Sequence, residues 1–280
     1  MQGIMLAGGG LGMTIWPMLA SQLISNYGWR TSYMIIGAIG LIVVTPIAQF
    51  MRRAPEQMEQ SPHSRDEVKQ ENSNRQMMGH SLHQAVRTRK FWLLCAIYGC
   101  LWFSGNAIWV HLAIHATDLG ISAASAATIL AIMGGMSIAG RILMGSVADR
   151  IGYKLTLLIG FALMAAGLLW LLVAKELWAF YLFAVVFSFG PASLAALQAP
   201  LTAELFGLGS LGVILGGIEC VSTVFGAISP ILAGYIFDVT NSYRLVFLIL
   251  ATSSVIGLIL SMLIRPTNNK GGGNDSKRST

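Results

Sequence analysis

The chain has 280 residues, of which 55% are hydrophobic and only 11% charged, and its mean hydropathy is +0.66. A soluble globular domain carries about a quarter charged residues, so this composition excludes one and points to a polytopic membrane protein. The formal net charge of +6 does not imply nucleic acid. Lys and Arg concentrate between Arg52 and Lys90 and again from Arg265 onward, the distribution that the positive-inside rule produces.

Taken in chain order, the apolar runs predict eight spans, at 4–25, 31–50, 91–114, 123–147, 155–174, 178–201, 211–235 and 244–264. Each is long enough to cross about 30 Å of hydrocarbon as a helix. The runs are continuous, not alternating at every second residue, which argues against barrel strands. The start, "MQGIMLAGGG", has no basic n-region and no clear cleavage site, and is not read as a signal peptide. Residues 51–90 form a linker rich in Gln, Glu, Ser, Asn and Arg, which is expected to bury little. Near its end "SLHQAVRTRKFW" predicts a short surface helix capped by Ser81 and leading to Trp92 at the interface. With the linker in the cytoplasm, only Arg30, Lys175 and Arg244 among the loop cations face outward, so both termini are expected to be cytoplasmic. Residues 266–280 read as a disordered tail. Cys95, Cys100 and Cys220 fall inside apolar spans and are expected to be buried thiols, with no metal spacing.

Two stretches echo each other. "PMLASQLISNYGWRTSYMIIGA" from Pro17 and "PILAGYIFDVTNSYRLVFLILA" from Pro230 share the Pro, the Leu and Ala that follow it, and a turn ending in Arg30 or Arg244. Either this is chance likeness of apolar sequence, or the first two spans are equivalent to the last two. In the second case spans three to six lack equivalents, and six plus six helices is the natural full architecture.

Between spans four and five lies "GRILMGSVADRIGYK". It resembles the cytoplasmic loop motif G-x-x-x-D-R-x-G-x-K of the major facilitator superfamily, with Gly145, Asp149, Arg150, Gly152 and Lys154 in place. "GGGLGMTIWP" with "YGWR" resembles helix 5 and its outer turn in that family. "AELFGLGSLGVILGGI" and "GYIFDVTNSYRLVF" resemble the start of helix 11 and the turn before helix 12. The resemblance implies an all-α polytopic membrane protein with the superfamily's transporter fold, eight of twelve transmembrane helices. Residues 1–50 would be the last two helices of the N-terminal half, and 91–265 the C-terminal six-helix half. The wording of "FWLLCAIYG", "VHLAIHATDLGISAASAATIL" and "SIAGRILMG" is most similar to the oxalate/formate antiporter and monocarboxylate porter branches. That implies a small organic anion as substrate. It implies a monocarboxylate in particular, since the eleventh helix lacks the Lys that the oxalate antiporters use for a second carboxylate. In the family, the charge equivalent to Asp149 holds one conformation of the rocking cycle closed on the cytoplasmic side. The Asp is placed to accept from the N-terminus of a nearby helix, here near Gly3 to Leu6.

Two ionisable residues stand deep within spans, and each needs a reason in hydrocarbon. Arg141 either snorkels or pairs structurally, or it faces a central cavity and grips a carboxylate bidentately. The monocarboxylate-porter resemblance favours the second role, although those porters carry an Asp one turn earlier, where this chain has Ser137. Glu219 is either an acid bonded to neighbouring helices or a proton-coupling acid. His111 and His115 serve either packing or proton relay, His111 being the second proton-coupling candidate. Asn106, Tyr98 and Gln198 are polar groups that would line the substrate path. The expected function is secondary active transport by alternating access, as proton symport or exchange. The competing reading is a transport-incompetent fragment of such a transporter. No HExxH, GxSxG or Walker-type GxxxxGK[ST] motif occurs, so an enzyme is not expected. Nor is any cofactor, metal or nucleic-acid partner. The setting would be the bilayer of a bacterial inner membrane, with the protein a monomer.

Overall fold

A computed structural model describes residues 2–50 and 81–264. In the first helix, side chains are described from Leu19 onward, except at 21, 44 and 47–50. Most of the 51–90 linker and all of the 266–280 tail lie outside the described residues. What is described is helical throughout: α1 (Gln2–Phe50), α2 (Leu82–Val86), α3 (Arg89–Asp118), α4 (Ala123–Ile151), α5 (Tyr153–Leu171), α6 (Leu177–Phe206), α7 (Leu211–Thr240) and α8 (Arg244–Met262). Each of α3 to α8 is long and apolar enough to cross a membrane.

The first two expected spans form the two arms of α1, which breaks at Gly28, where φ is +73° and ψ 161°. The echo between Pro17 and Pro230 extends to the backbone here. Gly28 and Asn241 stand at the same interval after their prolines, and both have positive φ, +73° and +50°. Asn241 ends α7 in the left-handed conformation common at helix C-termini.

The start of α2 carries the cap that the sequence predicts, and two further helix starts are capped as well. The Ser81 hydroxyl accepts from the Gln84 N–H at 3.4 Å while the Ser81 N–H donates to Gln84 Oε1 at 3.1 Å, a capping box. Thr88 caps α3 and Ser122 caps α4 more simply, each hydroxyl accepting one backbone N–H, from Phe91 and Ser125. Trp92 leans back on this corner, its indole N–H donating to the Val86 carbonyl at 2.9 Å. Between α4 and α5 the whole turn is Gly152, with φ +89° and ψ 155°, a conformation essentially confined to glycine. That is the physical requirement behind the second glycine of the loop motif.

Packing within α3–α8 obeys a two-fold exchange. The principal pairs are α3 with α7, α4 with α6, α5 with α6, α5 with α8, and α3 with α8. Exchanging α3 with α6, α4 with α7 and α5 with α8 maps this set onto itself, as an inverted three-plus-three repeat requires. The first arm of contact beyond this unit is α1 against α4.

Lipid tails are as apolar as leucine, so tight packing and interhelical hydrogen bonds hold such a bundle. At the α5–α6 crossing the backbones nearly touch. A Cβ on Gly190 would stand 2.8 Å from the Gly160 carbonyl oxygen, and one on Gly160 would collide with the Ser193 hydroxyl. Ser104 and Ser254 join α3 to α8, 3.2 Å apart, with Ser104 also donating to the Leu250 carbonyl at 3.1 Å. At the bundle end that carries the α4–α5 turn, the Lys154 ammonium donates to the Met262 carbonyl at 2.7 Å. It thereby caps the C-terminus of α8 and complements its dipole.

Two expectations follow. Gly190→Ala should cost about 1–3 kcal/mol by overpacking and Gly190→Leu should abolish recovery of folded protein, read by thermal unfolding and yield in detergent. Lys154→Met should cost about 0.3–1 kcal/mol, read as a lower unfolding midpoint that high salt narrows.

Candidate functional site

Glu219 is the centre of a polar cluster that joins three helices. One carboxylate oxygen accepts from the Trp102 indole N–H of α3 at 3.1 Å, and the other from the Gln198 amide of α6 at 2.8 Å. Each oxygen is thus held by an N–H donor from a different neighbouring helix. One turn along α7, the Thr223 hydroxyl donates to the Glu219 backbone carbonyl at 2.6 Å. Asn106, one turn beyond Trp102, packs against Gly226, where a Cβ would come within 2.6 Å of its amide nitrogen.

Arg141 is partly buried on α4. At 1.5 Å per residue, Arg141, Gln198 and Glu219 lie about 12–15 Å in from the helix ends at Ile151, Phe206 and Leu211. These ends belong to one end of the bundle, because Asp149, Gly152, Glu204 and Ile264 line a common cavity there. The basic and the acidic side chain therefore stand at similar depth. Since α4 and α7 are not among the closely packed pairs, they stand on separate walls.

Other candidates fall elsewhere. Tyr98 is 0% exposed, and its hydroxyl donates to the Leu194 carbonyl at 3.4 Å. It packs α3 against α6 and does not line an open path, a correction to the sequence expectation. His111 is tied at both ring nitrogens, Nε2 lying 2.9 Å from the Pro230 carbonyl and Nδ1 3.1 Å from the Tyr243 hydroxyl. A carbonyl only accepts, so Nε2 carries a proton and donates to it, and both ring nitrogens have partners within the bundle. His115 sits among the rings of Phe180, Tyr243 and Phe247, with centroids 5.7, 5.1 and 5.0 Å away. Cys220 is exposed on α7, unlike buried Cys95, because it lies on the face of α7 turned from α3. Among the described residues no group of His, Cys, Asp and Glu could hold a metal ion.

The loop motif divides its roles. Asp149 and Arg150 are exposed, and Asp149 lines a cavity of about 600 Å³ with Lys154 and Glu204. Lys154 is engaged by the end of α8, and Gly152 makes the turn. Among the described residues nothing comes within 4 Å of where a Gly145 Cβ would stand; the close approach on this helix is at Gly140, where a Cβ would come within 2.8 Å of the Ala192 methyl. The expected approach of Asp149 to the N-terminus of the first helix, near residues 3–6, falls in a stretch whose contacts lie outside those described.

Sequence reasoning missed Trp102 as a partner of Glu219. Its signal was available: tryptophan gathers at the membrane interfaces, and this one lies in mid-span, where its N–H needs an acceptor.

The family model of the Major Facilitator Superfamily matches residues 1–145 and 94–280. Monocarboxylate transporter 12 of Mus musculus is 27% identical over 292 residues, covering 94% of this chain and 59% of the relative. Monocarboxylate transporter 6 of Homo sapiens is 26% identical, covering 85% and 49%. An uncharacterized MFS-type transporter of Escherichia coli strain K12, YhjX, is 28% identical over 75% of this chain and 50% of its own length. The chain thus spans about three fifths of the first of these relatives. Among solved structures, the transporter FucP in its outward conformation matches with a TM-score of 0.54 at 21% identity, covering 88% of this chain and 58% of that one. With the family model covering the whole chain, α3–α8 arranged as an inverted repeat and α1 packed against them, this is a multi-pass membrane protein that belongs to the major facilitator superfamily.

Proposed function

We propose that the protein carries a small monocarboxylate across the membrane by alternating access, with Arg141 as the anion-binding cation and Glu219 as the proton-coupling acid. The observation that carries this reading is the pair of opposite charges at one depth on α4 and α7. A fixed guanidinium compensates the cost of bringing a carboxylate into a low-dielectric cavity. Protonating a carboxylate that is held by N–H donors from two other helices removes the charge that strengthens both bonds. The names of the mammalian relatives support a monocarboxylate as substrate. In this reading α3–α8 are one complete six-helix half and α1 contributes two helices of the other. The Asp149 end faces the cytoplasm of a bacterial inner membrane, Gln198 and Asn106 add polar contacts, and Asp149 holds the closed gate.

Uptake of labelled short-chain monocarboxylates and dicarboxylates, by membrane vesicles from cells making the full native chain, tests the proposal. Arg141→Ala should lower kcat/KM for the monocarboxylate on the order of a hundredfold, the loss of a charge-assisted pair worth about 2–3 kcal/mol. Arg141→Lys should recover only part of it, because the planar fork is gone. Unchanged uptake at normal protein level would make Arg141 structural. Wild-type uptake should rise as the pH outside the vesicle falls, since protonation precedes entry. In Glu219→Gln that dependence should flatten while exchange of one labelled anion for another persists. A pH profile identical to wild type would remove Glu219 from the coupling.

A further inference from the structure

A second cavity, of about 510 Å³, opens at the same end of the bundle as the loop motif. Arg89 and Lys90, the first residues of α3, line it. Leu93, Leu205, Leu263 and Ile264 complete its lining. Two opposed chemistries thus share one cavity, and together they describe its occupant. A free anion would use the cations and leave the aliphatic wall idle. A hydrocarbon would use the wall and leave the cations unanswered. An anionic head on a hydrocarbon body satisfies both.

The neighbouring 600 Å³ cavity shares Leu205 and Ile264 with this one and presents Asp149 and Glu204 beside Lys154, whose ammonium is already committed to the Met262 carbonyl. An anion at this end of the bundle is repelled there and drawn toward Arg89 and Lys90. The depth is also right for a lipid head group. Trp92 is 53% exposed beside the two cations, with its indole N–H bonded to the backbone of the preceding corner, the placement of an interfacial tryptophan.

We infer that this cavity is a binding site for an anionic phospholipid, with its phosphate between Arg89 and Lys90 and an acyl chain along Leu93, Leu205, Leu263 and Ile264. The site lies apart from Arg141 and Glu219 and does not depend on what the protein transports. The ligand would stabilise the corner where α3 enters the bilayer beside the ends of α6 and α8. A leaflet rich in anionic lipid attracts basic segments by about 1 kcal/mol per Lys or Arg, so the two cations predict a preference that can be measured.

The test is retention of phosphatidylglycerol against phosphatidylcholine by the full chain, read by native mass spectrometry from mixed-lipid nanodiscs. The wild type should retain phosphatidylglycerol preferentially, and Arg89→Gln with Lys90→Gln should lower that preference on the order of thirtyfold. Arg87→Gln, an exposed cation of the same stretch that does not line the cavity, should leave it within about twofold of wild type. Leu263→Gln should weaken retention without changing charge. An unfolding midpoint unchanged in pure phosphatidylcholine would show that the variants fold. Three results overturn the inference. One is an Arg87→Gln loss equal to that of the double variant, which means general surface attraction. Another is displacement of the lipid by inorganic phosphate with Leu263→Gln behaving as wild type, which means a soluble-anion site. The third is a photoreactive residue at position 263 that captures the acidic stretch 56–71 of the chain's own linker in place of lipid.

Discussion

The carboxylate of Glu219 and its two donors set the terms for the middle of this bundle. In hydrocarbon no water is at hand to satisfy a polar group, so each must find its partner within the protein or in a cavity. Glu219 finds one on α3 and one on α6, which fixes the rotation of three helices about their axes. Turning α7 by one residue would carry the carboxylate about 100° away from both donors. The cluster therefore specifies an arrangement that the apolar surfaces alone leave open, since one leucine-rich face packs much like another.

The two-fold packing explains where polar groups are allowed. Helices α5 and α8 carry no charged residue between Lys154 and Lys175 or between Arg244 and Arg265. Their buried polar groups are serines and threonines that bond back to their own helix or to a neighbouring serine, such as Thr156 to Gly152 and Ser254 to Ser104. The deep charges and amides, at Asn106, Arg141, Gln198 and Glu219, fall on α3, α4, α6 and α7, which form two symmetry-related pairs. The third helix of each repeat, α5 or α8, carries none of them.

Much of this was legible in the chain, for reasons that are local. Helix positions follow from the length of apolar runs. The start of α2 follows from Ser81, whose hydroxyl is placed to cap it. The α4–α5 turn follows from Gly152, and the spacing of the loop motif pointed to the family. What was not legible depends on which face of a helix meets which neighbour. In a run such as "LGGIECVSTVFG" nearly every residue is apolar, so the periodicity that marks a buried face in a soluble helix is absent. For that reason Cys220 was misplaced as buried and Tyr98 as open, and the pairing of Trp102 with Glu219 was invisible. Lys154 illustrates the same limit from another side. Its place in the motif was plain, but its bond to Met262, far along the chain, appears only once α5 and α8 are laid together.

The ties between α3 and α7 run the length of both helices and constrain how the bundle can move. Near the loop-motif end, Leu82 and Phe91 pack at Gly217. Deeper in, Ser222 reaches the Cys95 carbonyl at 3.3 Å and Trp102 reaches Glu219. At the far end His111 holds the Pro230 carbonyl. The last of these sits at a proline, whose missing N–H leaves the Gly226 carbonyl without its helical donor; the Ser229 hydroxyl supplies one at 3.3 Å. The proline bend is thus satisfied within α7 and clamped from α3, which leaves it little freedom to act as a hinge. A helix pair fastened at four depths shifts as one body, because sliding α7 past α3 would break all of these bonds together in a medium that cannot replace them. The less fastened element is Gln198, whose amide reaches Glu219 from α6, a helix bearing two prolines of its own, Pro191 and Pro200. Any rearrangement that answers a change of charge at Glu219 is therefore cheapest at the α6 side of the cluster, where one side-chain bond stands in place of a zipped pair of helices.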